Sequence, residues 1–504
     1  MNKISPQTLG QLLDGFVDVP DSFKGVMISC LAFDSRSVQP GCLYFGLPGS
    51  RSHGASYAEQ ALAAGAEMMI TDAAGAKIAG GARLLAVDDP RRLMGDVAVR
   101  LYGDPSADRL TFGVTGTNGK TTTCFMLVDS LRANGLHVGY VGTAGFQLDG
   151  QPVDLRRTTT TTPESVDLQA GLAALAQLGA DCFVMEASSG GLVMDRLEGV
   201  HFDVVGFTNL GRDHIDFHGT LEGYFQAKAK LFRPSWAHHC VIDTDCPAGA
   251  RLAAMVRQAG DPPVTTVGTS PDADVRILGR VASAGGCQTV TCDDGGRPIQ
   301  FTLGMPGDHN AHNAVLAIAM VQAAGFTGEA TWLGLANTSV PGRMQIVDLG
   351  DSAPHVIVDF GHTPEAVEAA MAAIAHPSIA VVGCGGDRDA GKRPMVGAAA
   401  VRQSDIVIVT DDNPRTEDPA LIRSAIMAGA VDEAKKTGID VQLIDGGSRP
   451  AAIRLALSMA SPDSTVAVLG RGDETFQDID GQHIPMSDVD LVRSIWHELK
   501  EQAQ

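Results

Sequence analysis

Leu110-Thr111-Phe112-Gly113-Val114-Thr115 runs directly into Gly116-Thr117-Asn118-Gly119-Lys120-Thr121-Thr122. An apolar strand, a glycine turn and a helix beginning near Lys120 are the parts of a phosphate loop. Glycines let the backbone curl until its N–H groups and the helix dipole meet phosphate oxygens. Lys120 is placed to neutralise the outer phosphates, and the Thr121 hydroxyl to ligate magnesium. The strict Walker spacing asks for glycine at 114, where Val114 stands; the nearest upstream glycine is Gly113. Alone, the loop says only "nucleotide" and leaves an ATPase, a GTPase or a nucleotide-dependent regulator open.

The strands around this loop predict an α/β chain of three domains. Residues 1–108 read as a small α/β module, with a glycine-flanked strand over Gly41–Gly46, an Ala-rich helix over Tyr57–Ala64 and a strand over Glu67–Thr71. Residues 109–342 read as a largely parallel, P-loop ATPase-like sheet domain. Its strands are Leu110–Thr115, Val138–Val141, Cys182–Glu186, Val204–Thr208 and Cys240–Asp243. Near its end Gln288–Cys292 and Ile299–Leu303 flank Asp293-Asp294-Gly295-Gly296, a hairpin signal. A helix over Ala311–Ala324 leads to Val340-Pro341-Gly342-Arg343, read as a hinge. Residues 343–504 carry apolar strands at His355–Asp359, Ile379–Val382, Ile406–Val409, Val441–Ile444 and Val466–Leu469, a second, Rossmann-like doubly wound domain.

The net charge of −21 argues against a broad nucleic-acid surface. An anionic substrate must then be held by local groups: loop amides, helix N-termini, a few cations and metal ions. No apolar run reaches the roughly 18 residues a membrane span needs, and Met1-Asn2-Lys3-Ile4-Ser5 leads into no signal-like segment. A cytoplasmic monomer is expected, its nine cysteines reduced. His238-His239-Cys240 lacks a second ligand pair at zinc spacing. Gly383-x-Gly385-Gly386 lacks the third glycine of a dinucleotide fingerprint.

Ligands of open α/β sheets bind beyond the carboxyl ends of the strands. Glu186 ends one such strand; Thr208-Asn209 end another and lead to Arg212-Asp213-His214. Glu186 and His214 are therefore candidate magnesium ligands, against a helix-capping carboxylate and a surface-loop histidine. Between Leu221 and Phe232, helical periodicity puts Leu221, Tyr224, Phe225, Leu231 and Phe232 on one face with Lys228, while Lys230 points away. An inward lysine is costly unless paired or modified. Carbamylation by carbon dioxide, a buried ion pair and snorkelling all answer that cost.

The ATP loop, Asn209 through His218, Asn310-Ala311-His312-Asn313, Pro341-Gly342-Arg343, Asp359 and His362-Thr363-Pro364 together resemble the Mur ligases, most closely the UDP-N-acetylmuramoyl-tripeptide synthetases. The resemblance covers nearly the whole chain. It implies an ATP-dependent acid–amino-acid ligase using two magnesium ions. Thr121, Glu186, His214 and a carbamylated Lys228 would be the metal ligands, and Lys120, Lys228 and His214 the catalytic groups. Gly116 through Thr122, Asn310, Arg343 and Asp359 would hold ATP.

The first domain resembles the UDP-binding domain of that subgroup through Asp34-Ser35-Arg36. Thr161, Thr162, Ser188 and Arg196 match positions that hold the muramoyl-peptide. Gly385-Gly386-Asp387-Arg388-Asp389 with Gly391-Lys392-Arg393-Pro394 matches the family's glycine loop, and Asp412-Asn413-Pro414-Arg415 matches the signature of members that use meso-diaminopimelate. A guanidinium recognises that substrate's extra carboxylate through two parallel hydrogen bonds. The resemblance gives Arg388 and Arg415 the substrate carboxylates, with Asp412 and Asn413 between them, and Gly470 and Glu474 the distal amino-acid end. The implied substrates are UDP-MurNAc-L-Ala-D-Glu and meso-diaminopimelate, in peptidoglycan synthesis.

The chain departs from the family pattern at Gly190, Met194, Asp243, Gln345, Phe360-Gly361, Arg471 and Asp473. Several of these touch substrate pockets, so a paralogue of a specialised pathway, joining a different amine or acid, is the alternative. The first domain and Asp412–Arg415 argue against a folylpolyglutamate synthetase, which shares the ATP loop.

Overall fold

The computed structural model describes residues 5–49, 52–81, 83–282, 287–350 and 352–503. The reading made on residues 1–4 lies outside them. The small N-terminal module carries a four-stranded parallel sheet built from Cys30–Ala32, Cys42–Gly46, Ala66–Thr71 and Leu84–Ala86. Cys30 and Cys42 are register partners on neighbouring strands, with Cα atoms 4.4 Å apart, and form a disulfide. That corrects the expectation that all cysteines are reduced: the pairing puts the two thiols face to face, which their spacing in sequence does not announce. The other seven cysteines are free.

The central sheet has eleven strands. The phosphate-loop strand Leu110–Thr115 lies between Cys182–Glu186 and Phe202–Phe207, parallel to both. Strands buried on both faces read as apolar runs, and Cys182–Glu186 is buried at every position and apolar up to Glu186 at its end. Both edges turn antiparallel. One edge is Gly145–Leu148 with Gln151–Val153; the other is Val275–Ala282 followed by the hairpin Gln288–Asp294 and Arg297–Leu303. The helix Asp308–Ala323 packs across the sheet and is buried along most of its length.

In the C-terminal domain the six-stranded sheet orders as Gln345–Val347, His355–Asp359, Thr465–Leu469, Ser378–Val382, Ile406–Thr410 and Gln442–Gly447. All pairs are parallel except the first. Pro364, Arg393, Pro419 and Arg449 start the helices that cover it, and the Thr363 and Asp418 side chains accept N-terminal amide hydrogens. No helix among the described residues is long and apolar enough to cross a membrane.

The central and C-terminal domains touch through polar contacts at the strand ends. Asn118 Nδ2 donates to Thr363 Oγ1 at 3.3 Å, and Arg212 pairs with Asp389 at 3.0 Å. Asp213 stands 3.5 Å from His362 and 4.0 Å from Lys392. The first domain is joined to the central one by Arg91, which reaches Glu164 at 2.8 Å.

Candidate active site

A cleft of about 1130 Å³ opens between the central and C-terminal domains. Its walls include Thr117 through Thr122, Thr161, Glu186, His214, Asn310, Arg343, Asp359, Arg388, Asp412, Asn413, Arg415, Gly470 and Glu474. Most residues singled out in sequence therefore meet in one place, although they come from both domains. Gly116, Thr162, Ser188, Arg196 and Lys228 are not among its lining residues, and Ser35 lies in the first domain. The Ser35 hydroxyl donates to Gln60 Oε1 at 3.2 Å.

The phosphate loop closes on itself. Gly119, at φ +84°, sits so close to Asn313 that a Cβ there would meet Oδ1 at 2.4 Å, so the turn needs glycine. Asn118 N–H donates to Asn209 Oδ1 at 3.0 Å, tying the loop to the neighbouring strand end. Lys120 Nζ donates to the carbonyls of Gly116 and Thr117 at 2.9 and 3.0 Å.

Lys228 comes from the helix Leu221–Ala229 and is 1% exposed. Its Nζ donates to the same Gly116 carbonyl at 2.7 Å and lies 4.4 Å from the Tyr224 ring centroid. The inward orientation expected from periodicity holds, with no carboxylate pairing Lys228 among the described residues. Leu221, placed on the buried face in sequence, is instead 52% exposed, because the first turn of this helix projects beyond the core. Burial and the nearby Lys120 charge push the Lys228 amine well below its ordinary pKa. Desolvation also lowers Lys120, against the raising influence of Glu186 and Asp213.

Glu186 is held at its strand end by Tyr140 Oη at 2.5 Å and by Thr143 N–H at 2.9 Å, both on Oε1. Among the described residues Oε2 accepts only from Thr143 Oγ1, at 3.2 Å, which leaves it acceptor capacity toward the cleft. His214 takes a left-handed backbone, φ +52°, which turns its ring toward Tyr224 and the cleft. Desolvation in the cleft pushes its imidazole down to about 4, Lys120 and Lys228 reinforcing and Asp213 opposing, so the ring is neutral at pH 7. Hydroxyl, carboxylate and neutral imidazole donors beside a phosphate loop are a set that fits divalent ions bound with a nucleotide.

On the C-terminal domain's side of the cleft, Asp412 Oδ1 accepts from Asn413 N–H at 2.7 Å, while the buried Oδ2 has no partner among the described residues. A Cβ at Gly470 would stand 2.6 Å from that oxygen. Asn413 donates to Glu474 Oε2 at 2.7 Å, and burial, with Asp412 nearby, raises the Glu474 carboxyl. Arg415, at φ +51°, donates from Nη1 to Gly386 O at 2.5 Å. Arg388 is exposed, with no hydrogen bond or ion pair among the described residues.

The departures from the family pattern now acquire places. Arg471 is fully buried and donates to Asn413 Oδ1 and to the carbonyls of Phe476 and Met486, so it braces Asn413 and the loop around it. Gln345, Phe360 and Asp473 meet around the hinge: Gly342 N–H donates to Gln345 Oε1, and Arg343 lies over the Phe360 ring and pairs with Asp473. Asp359 engages both carboxylate oxygens with backbone, Met344 N–H at 2.7 Å and Gly361 N–H at 2.6 Å. Sequence reasoning missed the cluster of Asp243, Asp245 and His312 on the cleft wall; His312 Nδ1 lies 2.8 Å from Asp243 Oδ2. It also missed Tyr140 and Thr143 as the groups that orient Glu186. A tyrosine and a threonine beside a glycine-rich strand end are the only trace of that role in sequence.

Fold and cleft define a three-domain, nucleotide-dependent ligase. Three family models match in tandem: "Mur ligase family, catalytic domain" over residues 27–102, "Mur ligase middle domain" over 114–321 and "Mur ligase, glutamate ligase domain" over 342–472. The UDP-N-acetylmuramoyl-L-alanyl-D-glutamate--2,6-diaminopimelate ligase of Corynebacterium efficiens is 41% identical over 502 residues, covering 96% of this chain and 94% of that protein. The ligase of the same name from Streptomyces coelicolor is 39% identical over 97% of this chain and 96% of its own. A solved structure of a UDP-N-acetylmuramoyl-L-alanyl-D-glutamate--2,6-diaminopimelate ligase superposes with a TM-score of 0.68 at 29% identity, covering 98% of this chain and 100% of that one. The chain belongs to the Mur ligase family, the ATP-dependent ligases.

Proposed function

We propose that this chain joins meso-diaminopimelate to UDP-MurNAc-L-Ala-D-Glu at the expense of ATP, giving the UDP-MurNAc-tripeptide of peptidoglycan synthesis, as a cytoplasmic monomer. The observation that carries this reading is the amine pocket. Asp412 offers a buried carboxylate oxygen with no partner among the described residues, and Arg388 and Arg415 line the same cleft as Lys120. A substrate with an ammonium and a second carboxylate matches that arrangement; L-lysine lacks the carboxylate that a guanidinium fork would take.

In the reaction, an oxygen of the dipeptide's terminal carboxylate attacks the γ-phosphorus of ATP. The bond from that phosphorus to the bridging oxygen breaks, ADP leaves, and an acyl phosphate forms. The diaminopimelate nitrogen then attacks the acyl carbon, the bond to phosphate breaks, and the amine loses a proton. Two anions must meet in the first step, so neutralisation and alignment dominate. The loop amides of Gly116 through Thr122 cradle the phosphates and Lys120 offsets their charge, while Asn310 and Asp359 hold the nucleoside end. Thr121, Glu186, His214 and Lys228, the last as a carbamate, would hold magnesium, which would supply the remaining positive charge. The lowered Lys228 amine supports carbamylation, because only a neutral amine adds carbon dioxide. Ser35 faces the uridine part, and Thr161, Thr162, Ser188 and Arg196 form the muramoyl-peptide side. The acyl phosphate must be kept from water, and the polar contacts between the two domains hold the walls of the cleft together around it.

Phosphate release from ATP, measured with UDP-MurNAc-L-Ala-D-Glu, magnesium and a panel of amines, tests this. Turnover with meso-diaminopimelate and not with L-lysine is expected. Turnover only with another amine would assign the chain to a specialised paralogue.

A further inference from the structure

The hinge loop and the loop of the amine pocket are stacked against each other with no room between them. A Cβ at Gly342 would come within 2.1 Å of Asp473 N and 2.4 Å of Gly472 C. Phe360 N–H donates to Gly342 O at 2.8 Å, and Gly470 N–H to Asp359 O at 3.0 Å. Out of this junction Arg343 projects into the cleft wall. Its Nη1 donates to Gly342 O and to Asp473 Oδ1, each at 3.0 Å, and its guanidinium carbon sits 4.2 Å from the Phe360 ring centroid. The side chains of Arg343 and Asp473 are 13% and 26% exposed, so the ion pair is partly desolvated, and removing one partner leaves the other charge poorly solvated.

The bonding pattern is selective. Both hydrogen bonds of Arg343 use one nitrogen, and among the described residues Nε and Nη2 have no partner. A guanidinium held at one corner and stacked on one face keeps its Nε/Nη2 edge available, the edge that binds two oxygens of one phosphate. Asp473 lies next to Glu474 and three residues from Gly470, on the loop that closes the amine pocket.

We propose that Asp473 is a positioning residue for Arg343. It fixes the guanidinium so that its free edge meets the ATP phosphates, and it ties this arginine to the loop that receives the amine. The inference rests on the reading of the cleft as an ATP site with Arg343 on its wall.

The test is steady-state kinetics and direct ATP titration on the full chain, with Asp473→Ala, Asp473→Glu, Arg343→Met and the Asp473→Ala/Arg343→Met pair. Loss of one charge-assisted hydrogen bond corresponds to about a tenfold weaker ATP interaction. Asp473→Ala is therefore expected to raise the ATP KM and Kd by about tenfold, with the diaminopimelate KM within about twofold. Asp473→Glu should recover most of the loss. In the Arg343→Met background, adding Asp473→Ala should change the ATP Kd by less than about twofold, because the group it positions is gone. An unchanged ATP Kd in Asp473→Ala overturns the proposal. So does a tenfold loss that persists without Arg343, or a parallel rise of both KM values that Asp473→Glu fails to rescue. Absence of turnover by the unsubstituted chain with every amine would instead sink the ligase reading, while the ATP titrations would still decide the role of Asp473.

Discussion

On the side proposed to take the acid, polar groups are committed to other protein groups. Thr162 Oγ1 donates to Glu186 O at 2.8 Å and accepts from Ser188 N–H at 3.0 Å. Ser188 Oγ caps the helix Ser189–Val193 by accepting from Gly191 N–H at 3.1 Å. Arg196 Nε donates to Glu164 Oε1 at 2.9 Å and Nη1 to Thr162 O at 3.3 Å. On the amine side, Asp412 Oδ2 is buried without a partner, Arg388 is unpaired among the described residues, and Glu474 carries a carboxyl raised by burial. Buried polar groups left unpaired cost stability, and binding sites concentrate that cost. The acid side is thus built as wall, and the amine side as receptor. Substitutions on the first should cost stability, and on the second should cost binding.

Arg415→Ala should produce the largest effect. Losing a bidentate partner of a substrate carboxylate should raise the diaminopimelate KM by about 100-fold, and Arg415→Lys should rescue only part of it, since an ammonium has no fork. Comparable KM values for Arg415→Ala and the unsubstituted chain would remove Arg415 from the receptor. Arg196→Ala comes next and should act on the other quantity. It breaks a partly buried pair but leaves Glu164 with Arg91, so a loss of about 2 kcal/mol in denaturant-melt stability is expected. If stability held and the UDP-MurNAc-dipeptide KM rose sharply instead, Arg196 would be a ligand contact and the contrast between the two sides would fail.

The sequence made one of these sides far easier to see than the other. Gly116 through Thr122 and Asp412 through Arg415 are contiguous runs, so their chemistry is written in neighbouring residues, and the parallel strands beneath them are unbroken apolar segments. Thr162, Ser188 and Arg196 draw their partners from residues 3 to 34 positions away, and side-chain hydrogen bonds of that kind leave no periodic trace. The edge hairpin Gly145–Leu148 with Gln151–Val153 went unread because its strands are short and half-exposed. The Cys30–Cys42 disulfide depends on strand register that spacing alone does not supply. Arg471 looked like a change in the amine pocket, whereas its full burial makes it a brace for Asn413.

Glu474→Gln sharpens the contrast in both observables. Its carboxyl has a raised folded-state pKa, so the neutral form is favoured in the fold. The stability this gives is fully present below the unfolded value of about 4.3 and is lost as pH rises through the folded value. Thermal melts should therefore show Glu474→Gln more stable than the unsubstituted chain at pH 7 and similar to it near pH 4. Its diaminopimelate KM should rise about tenfold through loss of an anion facing the ammonium. A variant less stable at pH 7 would mean that Glu474 is paid back by its Asn413 hydrogen bond and that the amine side carries no strain there.

Ser188→Ala should give the smallest change, and it separates wall from receptor most cleanly. Ser188 sits at the N-terminus of a short helix with extended backbone, φ −71° and ψ 150°, and its hydroxyl takes up an amide hydrogen that the helix leaves free. Alanine removes that acceptor without changing the backbone preference enough to relocate the turn. A loss of about 1 kcal/mol in chemical-denaturation stability is expected. Because the hydroxyl already accepts within the protein, the UDP-MurNAc-dipeptide KM should shift by less than the stability does in energy terms, under about fivefold. A larger KM change at unaltered stability would show that the hydroxyl leaves Gly191 for the substrate on binding. The acid side would then be a receptor that stores its contacts in internal hydrogen bonds until the ligand arrives, and Ser188, Thr162 and Arg196 would have to be treated as one exchangeable network.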